Sequence, residues 1–274
     1  MSEQNLPPAG LLNLSHTGYR VEIGRYIGDA FNLFGKNAGG FIVFGIVAFF
    51  IAAFGGLIAG LIPVAGNIIS STLSTTLLAG FMVVSDKMMK GQNTEFSDFF
   101  GAMEKFVPIL LYTLVVSAII FIPIAGVGIS LLGFESLNPE WLIDVMQNPD
   151  NLEIGIGAGV GAAAFIFALF IYVNTSYLLT VPLIIFQGLG FWDAMEASRQ
   201  IVAKNFFSVF AFTFVTGLLT LLGALLLGVG LLVMIPVWQI SIYFFYRHLM
   251  DQAGVEGKDS MFNFDEDAPL DSGF

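Results

Sequence analysis

Four long stretches of this chain contain no Asp, Glu, Lys, Arg or His: residues 37–85, 106–134, 154–192 and 205–246. A charged side chain near a bilayer centre costs about 2.5–3.5 kcal/mol, and a helix needs about 20 apolar residues to cross. The pattern predicts an all-α, polytopic membrane protein. The first stretch is long enough for two helices, with a break at Pro63-Val64-Ala65-Gly66-Asn67. Phe106–Phe134 predicts one span, and Ile154–Trp192 predicts one long span with a Gly-rich start. Asn205–Tyr246 predicts two, divided near Gly228-Val229-Gly230. The expected fold is six transmembrane helices arranged as three hairpins, each preceded by a cytoplasmic interfacial amphipathic helix.

Charge orients this scheme. The six-span arrangement puts Arg20, Arg25, Lys36, Lys87, Lys90, Lys105, Arg199, Lys204, Arg247 and Lys258 on one side, which is all 10 basic residues. The one long loop on the other side carries Glu135, Glu140, Asp144, Asp150 and Glu153. The positive-inside rule then predicts a multi-pass protein with both termini cytoplasmic. Residues 1–18 read as a polar N-terminal tail, 19–250 as the membrane domain and 251–274 as an acidic disordered tail. Residues 1–18 lack a basic region followed by an apolar run. No cleavable signal peptide is therefore expected, and the first span is expected to act as an uncleaved insertion signal.

Three segments on the basic side share a pattern, around Asp29, Asp98 and Asp193. Apolar residues follow each Asp at helical spacing, and Lys36, Lys105 and Lys204 come late in each segment. Each Asp is expected to cap a helix start, where the dipole favours negative charge. The implied unit is an interfacial helix plus a hairpin, repeated over about 26–90, 96–186 and 191–250.

The second helix of each hairpin carries a polar patch: Ser70 to Thr76, then Asn174-Thr175-Ser176, then Gln239 with Ser241. Thr75, Asn174, Thr175, Gln239 and Ser241 are the candidates for a shared polar lining. Ordinary interhelical hydrogen bonding, worth about 0.6 kcal/mol per contact, is the competing reading and the expected one. Stripes of small residues, such as Ala48, Ala52, Gly56 and Gly60, predict close helix contacts. In the acidic loop, Asn138 and Pro139 predict the start of a surface helix with Trp141 at headgroup level.

Composition narrows the chemistry. The chain has 274 residues, 56% of them hydrophobic, 29 Phe, no Cys and a net charge of −11. Thiolate chemistry and Cys-based metal sites are excluded, and nucleic acid is not an expected partner of so acidic a chain. His16 and His248 fit no metal-ligand spacing, and no carboxylate pair lies in a span. No catalytic residue, cofactor or metal is expected, and the chain is not read as an enzyme. The expected partners are the lipid bilayer and other membrane proteins or a second copy.

Val181-Pro182-Leu183-Ile184-Ile185-Phe186-Gln187, Ala194-Met195-Glu196-Ala197-Ser198 and Lys204-Asn205 together resemble uncharacterised six-helix bacterial inner-membrane families. One of these is the membrane domain joined to some glycerophosphodiester phosphodiesterases. Those families commonly place an acid a few residues after the proline, where this chain has Gln187. The resemblance implies a bacterial inner-membrane address and no catalytic residues. The resulting expectation is an integral inner-membrane protein that organises, assists or regulates other envelope components. The alternative is a small permease or channel for a neutral or lipid-like solute.

Overall fold

The computed structural model describes Gly10, Leu14 and residues 18–62, 65–132, 138–147, 156–225 and 228–254. All regular structure among them is helical. In chain order the elements are α1 (Ile23–Lys36), α2 (Ala38–Ala59), α3 (Ala65–Met89), a 3-10 helix (Phe96–Lys105) and α4 (Phe106–Leu132). Then follow α5 (Pro139–Gln147), α6 (Ile156–Ser176), α7 (Thr180–Phe186), α8 (Phe191–Lys204), α9 (Phe206–Leu225) and α10 (Leu231–Gln252).

Five units are long and apolar enough to cross a membrane: α2, α3, the 3-10 helix with α4, α6 with α7, and α9. The expected sixth span coincides with α10, which is 22 residues long but is not among the five. Trp238, Gln239 and Ser241 interrupt its apolar run, and Arg247-His248 follow it. It nevertheless contributes heavily to the core, with buried residues from Pro236 to Met250.

Packing is concentrated at the end that carries the basic residues. Among the described residues of α2 the buried ones are Phe41, Phe44, Ala48 and Ala59, and in α4 only Ile109 and Thr113 are buried. Buried positions in α9 are Val209, Phe212 and Thr216, with Gly223 near the far tip. A knot of rings holds this end together. Phe44 stacks on Phe99 at 4.5 Å and meets Phe81 edge-on at 5.1 Å. Such ring pairs contribute about 0.5–1.5 kcal/mol each beyond their area. Gly80 lets the 3-10 helix cross α3, because a Cβ there would lie 1.9 Å from the Phe99 carbonyl oxygen. At the opposite end Gly66 turns tightly against Ala59, where a Cβ would lie 1.7 Å from the carbonyl oxygen.

The elements on the basic side differ in form. α1 and α8 are both 14-residue helices ending in Lys-Asn. Asn37 (φ −142°, ψ 41°) and Asn205 (φ −130°, ψ 41°) make the same corner into the spanning helix that follows. Their buried positions match at a constant offset of 168: Tyr26, Ala30, Leu33 and Phe34 against Ala194, Ser198, Ile201 and Val202. The match continues with Phe41, Phe44 and Ala48 against Val209, Phe212 and Thr216. The middle segment is a 10-residue 3-10 helix that runs into α4 without such a corner.

Two further details depart from the sequence reading. Leu14, within the stretch read as a polar tail, is buried in the core. The long span expected over Ile154–Trp192 is broken between α6 and α7. In the acidic loop Asn138 caps α5, its Oδ1 accepting from Glu140 N at 3.0 Å. The Trp141 side chain, His16 and residues 255–274 lie outside the described residues.

Candidate functional site

Helices α3, α4, α6, α9 and α10 form a ring in which each packs on the next, and α10 closes back onto α3. Between α3, α4, α6 and α10 of this ring lies a partly open cavity of about 260 Å³. α3 contributes Thr75, Leu78, Ala79 and Met82; α4 contributes Tyr112, Val116 and Ile120. Phe170, Val173 and Asn174 come from α6, Tyr177 and Leu178 from the α6–α7 break, Val181 from α7, and Gln239 and Ile242 from α10. The cavity therefore brings together one polar residue from each of the three patches: Thr75, Asn174 and Gln239.

The other two candidates are turned away. Thr175 is buried at 2% exposure and does not line the cavity. Ser241 is fully buried, and its hydroxyl donates to the Val237 carbonyl at 2.7 Å. The remaining patch hydroxyls mostly bond their own helix: Thr72 donates to Ile68 O and Thr76 to Thr72 O. Asn174 Nδ2 donates to Phe170 O at 2.9 Å, which leaves its Oδ1 available. Among the described residues, Thr75 Oγ1 and the Gln239 amide have no hydrogen-bond partner. No Lys, Arg, His, Asp or Glu is among the described lining residues. The wall can thus offer donors and acceptors but no formal charge.

The helix break positions part of this wall. A continuous helix would bond Leu179 N to the carbonyl four residues earlier. Instead Leu179 N donates to Ser198 Oγ at 3.2 Å, and Ser198 Oγ donates to Ser176 O at 2.7 Å. One fully buried α8 hydroxyl spans the gap in α6–α7. Tyr177 and Leu178, inside that gap, face the cavity. Broken helices are tolerated at membrane depth when neighbours satisfy the freed backbone groups.

A polar layer lies nearer the basic end than the lining residues of α3 and α10. Tyr243 Oη donates to Asp86 Oδ1 at 3.1 Å and accepts from Arg247 Nη1 at 3.1 Å. Lys90 pairs with Asp86 at 2.9 Å. Gln187 Nε2 donates to Tyr246 Oη at 2.7 Å, and Phe186 stacks on the same ring. On α8 the Arg199 guanidinium holds the Glu196 carboxyl below its ordinary value, with Nη2 donating to Oε1 at 2.6 Å.

The three aspartates do not share one geometry. Asp98 lies in the first turn of the 3-10 helix, accepts from Glu95 N at 2.9 Å and pairs with Lys87 at 2.5 Å. Asp193 is in the first turn of α8, and no side chain caps that helix. Asp29 is the seventh residue of α1 and caps nothing, because the helix already starts at Ile23. Burial pushes its carboxyl above the ordinary value. The expected shared cap fails because the corresponding points are the Lys-Asn corners, not the aspartates. Tyr112, Tyr177 and Ser198 were missed as site-building residues. Tyr112 sits alone in an apolar run, and only the break itself reveals Ser198.

The family model described as the membrane domain of glycerophosphoryl diester phosphodiesterase matches residues 74–248, well over half of the 274. That interval starts one residue before Thr75 and includes every lining residue of the cavity. No curated protein and no solved structure matches the chain.

Proposed function

Because the chain belongs to the family of the membrane domain of glycerophosphoryl diester phosphodiesterase, we propose that it is a non-catalytic, membrane-embedded binding protein, acting as a permease for a small uncharged solute. The observation that carries this is the convergence of Thr75, Asn174 and Gln239 on one cavity. It favours the permease reading over the organising role that the sequence suggested first. Hydroxyls and amides can recognise an uncharged polar molecule. They cannot offset the cost of moving a phosphate anion out of water, which needs a cation or several strong donors. The diester named in the family description is therefore not the expected occupant. Catalysis is not proposed because the lining holds no carboxylate or imidazole to move a proton.

The proposal includes the setting. The protein resides in a bacterial inner membrane with six spans, α10 being the sixth, and both termini are cytoplasmic. All 10 basic residues then lie on the cytoplasmic side. The first and last units arose by duplication in the register that pairs Lys36-Asn37 with Lys204-Asn205, which the shared corner and the constant offset of buried positions support.

The test is ligand-induced stabilisation of the detergent-solubilised protein by a panel of uncharged polyols, with glycerol 3-phosphate as the charged control. Uncharged members should raise the melting temperature of the wild type, and Asn174→Leu and Gln239→Leu should remove that rise. Equal stabilisation by glycerol 3-phosphate, or none by any member, would contradict the reading.

A further inference from the structure

Burial along α4 and α6 stops well short of their far ends. From Ala158 to Tyr172 no residue of α6 is buried, and none is buried in α4 beyond Thr113. The α4–α6 side of the ring is therefore packed at its basic end and loosened toward the other. The cavity wall continues past those limits, since Val116 and Ile120 lie beyond Thr113 on α4 and Phe170 lies beyond Val173 on α6. Thr75 and Gln239 are the lining residues of α3 and α10 nearest the acidic-loop end, Asn174 is exposed at the side of the cavity, and apolar Val116, Ile120 and Phe170 line the wall beside them. In a bilayer the loosened part lies in hydrocarbon, so acyl chains lie along that apolar wall without desolvating any polar group.

We propose that the cavity takes a membrane lipid with a small, uncharged, hydroxyl-bearing head, which enters from the leaflet on the acidic-loop side. This rests on the uncharged-ligand reading above and names the ligand class. The volume of about 260 Å³ lies just below the range of about 300–1,000 Å³ usual for pockets enclosing a whole drug-sized ligand. It suits a head alone, with the tails left along the apolar wall. The head's hydroxyls donate to Asn174 Oδ1 and the Gln239 carbonyl and accept from Thr75 Oγ1. A phosphate-bearing head of similar size meets no Lys or Arg among the described lining residues and is rejected.

The test uses the full chain in mild detergent and a diacylglycerol with a photoreactive diazirine near the head end of one acyl chain. Crosslinked peptides should map to the cavity segments of α3, α6 and α10. Unlabelled dioleoylglycerol should compete. Dioleoylphosphatidylglycerol should not, and free glycerol should compete only at far higher concentration. Gln239→Leu, and the milder Thr75→Val, should each weaken labelling about tenfold, the scale of one lost hydrogen bond to a buried partner. The wild-type competition series needs no variant to fold. Equal competition by phosphatidylglycerol, or labelling confined to the outer faces of α2 and α9, would overturn the inference. Competition by free glycerol but not by diacylglycerol would also overturn it while leaving the uncharged-ligand reading intact. Competition by neither would remove both.

Discussion

Replacing Ser198 by Ala removes a hydroxyl that serves both sides of the break between α6 and α7. Leu179 N, at 3.2 Å, loses its acceptor, and Ser176 O, at 2.7 Å, loses its donor. Ser198 is fully buried, so water does not take its place without rearrangement. A buried backbone group left unpaired costs about 1–3 kcal/mol. Two such groups, partly relieved because membrane proteins find alternative partners, give a loss of about 2 kcal/mol. For a chain of this size that is a fall of about 4–8 °C in melting temperature. The assay is thermal unfolding of the detergent-solubilised variant, with Ser208→Ala as the control. Ser208 is an exposed serine near the start of α9, so its removal should stay within about 0.5 kcal/mol. Because Tyr177 and Leu178 lie in the gap, Ser198→Ala should also weaken dioleoylglycerol competition. Unchanged stability and unchanged competition would refute the idea that Ser198 holds the break in place.

Gly80→Ala should prevent stable folding, since the new Cβ would lie 1.9 Å from the Phe99 carbonyl oxygen and backbone must shift; a folded variant with wild-type melting would show the crossing is looser than described. Phe44→Ala should cost about 3–5 kcal/mol, because Phe44 is fully buried among Phe81, Phe96, Phe99 and Phe100, and equilibrium unfolding measures it. His248, just past the apolar run that ends at Tyr246, is held below its ordinary pKa by burial. Its Nδ1 lies 2.5 Å from Tyr26 Oη and its Nε2 2.6 Å from the Gln252 amide, with Glu22, just before α1, and Arg25 of α1 facing it and Asp251 beside it. The neutral ring is the one favoured by folding. Its contribution is therefore full above the unfolded value of 6.5 and is lost as pH falls through the lowered native value. His248→Gln should show a flatter stability profile between about pH 7 and pH 5, and an identical slope would contradict the assignment.

Much of the architecture was legible because the charge-free stretches are long and the bilayer leaves few alternatives. The hairpin breaks near Gly66 and Gly228 followed from turn residues. The Lys-Asn corner was harder to read. An Asp at a fixed distance from a Lys looks like a cap, yet Asp29 lies mid-helix, and the corners become visible only once the backbone of Asn37 and Asn205 is seen. Helical periodicity could not distinguish the 3-10 winding of Phe96–Lys105 from an α-helix, since ten residues sample both repeats. Within the polar patches, sequence placed Thr75 beside Thr76 and Asn174 beside Thr175. One residue of helical rotation, about 100°, decides which member faces the cavity, and that phase is set by packing against neighbouring helices.

That phase gives the most direct test of the central claim. The chain has no cysteine, so single substitutions need no prior engineering. Thr75→Cys, Asn174→Cys and Gln239→Cys should react with a small, neutral methanethiosulfonate reagent in native membranes. Thr175→Cys and Ser241→Cys, on the same helices but buried at 2% and 0% exposure, should stay protected. Protection of the first three, or equal reactivity at all five, would contradict an accessible cavity shared by the three polar patches.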